Sequence, residues 1–235
     1  MLLTERTGEV LRLENDALNS LKKQIRMAKA TQLKRTIDVV IKDKNYKVSG
    51  IRLSSGSPKS DFELLNSNGN PCVWISHKGA KSAYGFQQWG GLSKLKEPKI
   101  FAHEETQRFL NDLKEMFPEG LRPRDSLIRR IHDPKLKMMS CYGNAYGSPK
   151  TGPHNVDLII HGKQVNLIEM VTSKYIIQSH SVTYNGTSFD GTPYEPVFVA
   201  MYRGPEANGK VRSDSGILNS RIVIYPLRGR AGKEI

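Results

Sequence analysis

Two short apolar stretches joined through Asn68-Gly69 constrain this chain more than any other feature. They run Asp61-Phe62-Glu63-Leu64-Leu65 and Cys72-Val73-Trp74-Ile75-Ser76-His77-Lys78. Asn-Gly between two such stretches is the strongest short hairpin signal, because both residues tolerate the positive φ of a tight turn. A type I′ turn on Asn68-Gly69 pairs residues whose numbers sum to about 137, which sets Asp61 opposite Ser76. Lys78, two residues on, shares their face. A turn on Gly69-Asn70 sets Asp61 opposite Lys78 instead. Both registers gather Asp61, Ser76 and Lys78 on one side.

That grouping has a chemical use. An Asp holds Mg²⁺ through oxygen. The ion and a nearby Lys neutralise a phosphodiester and assist formation of an attacking hydroxide. The residues resemble the PD-(D/E)XK nuclease superfamily, whose pattern is an Asp, often after Pro, followed by acid-x-Lys on the next strand. Ser60-Asp61 stands for the first element, with Pro58 three residues before the Asp, and Ser76-His77-Lys78 for the second. Ser76 departs from the usual acid, and Glu14 or Glu63 is then the source of the second carboxylate. The resemblance covers about residues 7 to 117. It implies a mixed sheet with flanking helices, Mg²⁺ or Mn²⁺ held by Asp61 and Glu14, and cleavage of DNA, double-stranded by expectation. A homodimer would be natural for cutting two strands.

Charge points the same way. Lys and Arg number 36 against 23 acids, a formal charge of +13. Such charge speaks to partners rather than to fold, and phosphate backbones attract it by counterion release. Lys59, Lys81, Gln87, Arg228 and Arg230 are the expected nucleic-acid contacts. Lys22 to Arg35, Arg122 to Lys137 and Arg221 to Lys233 are the basic stretches, and exposed Trp89, Tyr142, Tyr146 or Tyr184 would stack on bases. Met1-Leu2-Leu3-Thr4 is no myristoylation start, the end Lys233-Glu234-Ile235 carries no prenylation box, and no apolar run spans a bilayer. No signal peptide is expected, and Cys72 and Cys141, the only cysteines, are isolated. A cytoplasmic, reducing setting without a membrane partner is the expectation. No two of the six histidines have helical metal-ligand spacing.

The periodicity predicts an α+β fold. Val10, Leu11, Leu13, Ala17, Leu18, Leu21 and Ile25 predict a helix over 7–33, and Phe109, Leu110, Leu113 and Phe117 one over 104–117. Strands are expected at 37–41, 46–53, 61–65 and 72–77, with a short helix over 82–89 and another beginning within 118–130. From about Asp133 the chain turns β-rich, with strands at 156–160, 164–171, 175–184, 197–202 and 217–225. The expected division is a core over 1–135 and a β-rich region over 136–235, the latter either separate or part of the same domain. A rival hairpin joins Asp157 to Glu169, with Val171 where Lys is needed and Lys174 as a substitute. The non-catalytic alternative is a nucleic-acid-binding or phage-type accessory protein.

Overall fold

The computed structural model describes residues 2–56, 59–79, 89–162, 164–170, 173–178, 188–189, 192–193, 195–205, 215–227 and 232–235. The fold is α+β, with four helices and three mixed sheets among the described residues. The chain divides into two compact units, each made of two segments: residues 1–85 with 145–183, and 86–144 with 184–235. This differs from a single cut near residue 135. The chain returns to its first unit because β8 (Leu158–His161) pairs in parallel with β5 (Pro71–Lys78).

In the first unit, α1 (Leu2–Thr31) covers a core shared by two four-stranded sheets. Ala17, Leu18, Leu21, Ile25 and Ala28 recur every three to four residues and are buried, as an amphipathic helix requires. One sheet has the order β2-β1-β10-β9, from β1 (Ile37–Ile41), β2 (Lys44–Val48), β9 (Asn166–Glu169) and β10 (Lys174–Gln178). The other has the order β3-β4-β5-β8, with β3 (Gly50–Leu53) and β4 (Phe62–Leu65). The expected strand over 46–53 is therefore two strands in two sheets. They part at Ser49, whose N–H and hydroxyl both bond to the Leu65 carbonyl. Gln24 pins α1 to the start of β9: its amide donates to the Val165 carbonyl and accepts from Leu167 N.

The Asp61–Lys78 hairpin forms, but not through a two-residue turn. Asn66 N donates to the Asn70 carbonyl, Gly69 N to the Asn66 carbonyl, and Asn66 Oδ1 accepts from Asn68 N and Asn70 N. Gly69, at φ 77°, takes the left-handed position of this longer loop. Leu65 accordingly pairs with Pro71, one residue out of the expected register. A bulge between Leu64 and Leu65 absorbs the extra residue, and Leu64 pairs with Val73, Phe62 with Ile75. Asp61 N then donates to the Ile75 carbonyl. The register that sets Asp61 beside Ser76 is thus reached by a different turn plus a compensating bulge.

The second unit carries the sheet β15-β7-β13-β14-β6, from β6 (Gly90–Gly91), β7 (Ser126–Arg130), β13 (Pro196–Tyr202), β14 (Ser220–Pro226) and β15 (Lys233–Glu234). A two-stranded ribbon, β11 (Ser188–Phe189) with β12 (Thr192–Pro193), also belongs to it. The helices are α2 (Pro98–Phe101), α3 (Glu104–Met116) and α4 (Pro134–Tyr142). Phe109 of α3 stacks on Phe198 of β13 with ring centroids 5.2 Å apart. The helix expected to begin within 118–130 is instead a turn and β7. Arg122-Pro123-Arg124-Asp125 turns with Arg124 at φ 78° and Asp125 N bonded to the Arg122 carbonyl, the type II pattern with Pro at its second position. α4 is not among the expected elements; Asp133 Oδ1 caps Leu136 N at 2.6 Å and Pro134 occupies the first helical position.

Candidate active site

Asp61 stands one residue before β4 and accepts two hydrogen bonds on Oδ2. One comes from Ser76 Oγ at 3.1 Å and the other from His77 N at 2.6 Å. Both donors lie on β5, so the hairpin register alone aims this carboxylate. Ser76 is fully buried, which leaves its hydroxyl the role of orienting Asp61. Lys78 ends β5, and Gly79 follows it. A Cβ on Gly79 would come within 2.9 Å of Leu13 Cδ1, so the missing side chain is what lets α1 lie this close to the strand end.

That approach brings Glu14 into the group. Its carboxyl is pushed above the ordinary glutamate value, first by burial and then by the negative charge of Asp61, while Lys78 pulls the other way. Two carboxylates and a lysine, from α1, from the residue before β4 and from the end of β5, therefore share one electrostatic neighbourhood. A pair of like charges held together with a cation is the arrangement that perturbs titration at functional sites. Glu63 does not join them. It is buried and bonded to Arg52 of β3 at 2.8 Å, a cross-strand ion pair.

His77 was not singled out by the sequence beyond its place between Ser76 and Lys78. Its ring is buried, stacks on Phe62 at 5.5 Å, and places Nε2 2.9 Å from the Gly162 carbonyl. A carbonyl only accepts, so Nε2 carries the proton. Burial pushes the imidazole below its ordinary value, opposed by the Gly162 bond and by Asp61. Nδ1 is left buried without a partner among the described residues. His77 thus braces the segment whose backbone N–H holds Asp61.

The rival hairpin does not exist. β8 pairs with β5, and β9 pairs with β10 in the other sheet, so Asp157 and Glu169 are not hairpin partners. Both strands stand at the edge of their sheets, but all of Leu158–His161 is buried beside β5, whereas β9 is largely exposed, Glu169 included. Lys174 begins β10, the partner of β9, and its carbonyl accepts from Met170 N. Asp157 instead bonds Trp74 N through Oδ2 at 2.9 Å.

Among the expected nucleic-acid contacts, Lys59 lies in the loop before Asp61, its N–H bonded to the Pro153 carbonyl. Lys81, Gln87, Arg228 and Arg230 lie outside the described residues, as do Pro58 and, apart from Trp89, the expected helix over 82–89. Trp89 and Tyr142 are buried and do not serve as base-stacking platforms. Arg129 and Arg130, from the second basic stretch, are held by Asp112 and by Glu195 and Glu234. Compared with known protein-family models, curated proteins and solved structures, the chain matches none.

Proposed function

We propose that the chain is a metal-dependent nuclease that hydrolyses phosphodiester bonds in DNA, with Asp61, Glu14 and Lys78 as its working groups. The observation that carries this reading is the convergence of a helical Glu, an Asp before one strand and a Lys at the end of the next. Two neighbouring carboxylates form a hard oxygen donor set, and Mg²⁺ is commonly held by one or two carboxylates with water and substrate phosphate completing the shell. The two bonds from β5 fall on Asp61 Oδ2, and neither uses Oδ1. The donor set therefore fits such an ion, which Asp61 and Glu14 would hold and which would supply Lewis-acid neutralisation of the phosphodiester. Lys78 places a positive charge where negative charge develops on the phosphate and orients the attacking water. Ser76 and His77 N fix the Asp61 carboxylate.

A second reading, a nucleic-acid binder that does not cut, draws on two observations. Ser76 stands where the resemblance expects an acid. Among the described residues no three His, Cys, Asp or Glu side chains form a group that could hold a metal ion. The test is a plasmid-nicking assay with Mg²⁺, Mn²⁺ or EDTA on the intact protein, Asp61→Ala and Lys78→Ala. Metal-dependent nicking lost in both folded variants is the expected result. Salt-sensitive binding with no nicking on DNA or RNA would establish the second reading.

A further inference from the structure

The solvent side of α1 is a basic track. Lys22, Lys23 and Arg26 are exposed, and Lys34 and Arg35 follow just beyond the helix end, also exposed. At about 100° per residue the three helical cations fall within one arc of about 100°, opposite buried Leu21, Ile25 and Ala28. No Asp or Glu occurs between Asp16 and Asp38. Asp16 bounds the track upstream. Asp38 downstream is neutralised by Lys47, at 2.9 Å, and accepts from Asn45 at 2.7 Å. Lys29, the remaining cation, bonds the Ser49 carbonyl at 2.8 Å and is spent on the fold.

The helix dipole explains cations only in the last turn, where Lys29 and the nearby Lys34 lie, and not Lys22 and Lys23 two turns earlier. An anionic membrane is the other polyanionic surface, but a helix lying on a bilayer needs an outward apolar face. The buried apolar residues of α1 from Ala17 to Ala28 are used in the core, and among the described side chains of this segment only Met27 and Leu33 remain exposed as large hydrophobics.

We propose that this face of α1 binds the phosphate backbone of a nucleic acid through Lys22, Lys23, Arg26 and Lys34, without base recognition. The inference goes beyond cleavage and stands whether or not the Asp61 group cuts. Where it does cut, the track lies on the helix that carries Glu14.

The experiment measures binding of a 30-base-pair DNA duplex, and of an RNA duplex of the same sequence, in EDTA across a KCl series. The variants are Lys22→Gln/Lys23→Gln/Arg26→Gln/Lys34→Gln and a charge-matched control, Lys94→Gln/Lys96→Gln/Lys99→Gln/Lys135→Gln. Loss of four contacts should lower the slope of log K against log salt by about 3 to 4 and weaken binding on the order of a hundredfold. The control should keep the wild-type slope. Equal loss in both variants, or no loss in the first, overturns the proposal. So does loss of binding to phosphatidylserine vesicles with duplex binding intact. The DNA and RNA arms decide which polymer supplies the backbone. Acetylation footprinting of the wild-type protein needs no variant: Lys22, Lys23 and Lys34 should be protected by the duplex, and full reactivity overturns the assignment.

Discussion

Asp61 and Asp157 occupy matching positions on either side of β5, and their difference is instructive. Each stands one residue before a strand that borders β5, and each sends Oδ2 to a β5 backbone N–H, His77 for one and Trp74 for the other. Their neighbours differ. Asp157 is buried, and burial raises its carboxyl. The Trp74 N–H, the Thr151 side chain and the charges of Lys42 and Lys44 oppose that rise without cancelling it, so the carboxyl stays above its ordinary value. The charges that act on it are those of lysines. Asp61 instead has Glu14 close enough for each negative charge to oppose the other. A backbone anchor is common to both sites and so diagnoses nothing. A second acid beside the first, rather than lysines alone, is what marks a candidate for cation binding.

The largest expected effect tests that contrast directly. Asp61→Asn keeps an acceptor for His77 N–H and Ser76 Oγ, so the variant should fold. If Asp61 holds the metal as proposed, its loss removes several kcal/mol of charge stabilisation, so nicking should fall by about three orders of magnitude or more. Asp157→Asn should nick at the wild-type rate. The opposite pattern, with activity lost at Asp157 and kept at Asp61, would exchange the roles of the two carboxylates.

Stability should rank them the other way. Asp157→Ala removes a buried carboxylate and leaves the Trp74 N–H without that partner, a loss of about 1–3 kcal/mol in urea unfolding. Asp157→Asn, which retains an acceptor, should come within about 0.5 kcal/mol of wild type. Asp61→Ala should cost less than Asp157→Ala, because water reaches the half-buried Asp61 position. Equal losses for the two alanine variants would mean that both carboxylates are structural.

The contrast was only partly legible in the sequence. Alternation placed Asp61 beside Ser76, and helical spacing placed the buried stripe of α1, because both are local periodicities that burial enforces. The tight turn was misread, yet the register survived, since Phe62, Leu64, Val73 and Ile75 all have to reach one core and the bulge at the hairpin end absorbed the difference. What the sequence did not reveal was long-range pairing. Nothing local says that the 158–161 segment will choose β5, some eighty residues earlier, over the adjacent 166–169 segment. That choice decides whether Asp157 belongs with Glu169 or with Trp74. The hairpin loop offers a smaller test. Gly69→Ala places a side chain at φ 77° and should cost about 1 kcal/mol. Nicking per folded molecule should hold if the core sets the register, and should collapse if the turn does.

The smallest effect is the most specific to the Asp61 side. The Glu14 carboxyl lies above its ordinary value of 4.5 in the folded protein. A raised acid binds its proton more tightly when folded, so its contribution to stability is fully present below about pH 4.5 and is lost as pH rises through the folded value. At pH 7 the ionised Glu14 is a net cost. Glu14→Gln removes that cost, so its Tm should exceed that of wild type at pH 7, and the gain should shrink to nothing toward pH 4. The same substitution should abolish nicking, which separates a carboxylate retained for function from one retained for folding. Mg²⁺ should close the gap from the other side: at ten times Kd it would stabilise the wild type by about 1.4 kcal/mol and the variant by less. Superimposable melting curves at pH 7 with no response to Mg²⁺ would mean that Glu14 and Asp61 do not form a cation site, and the distinction between Asp61 and Asp157 would reduce to one of burial.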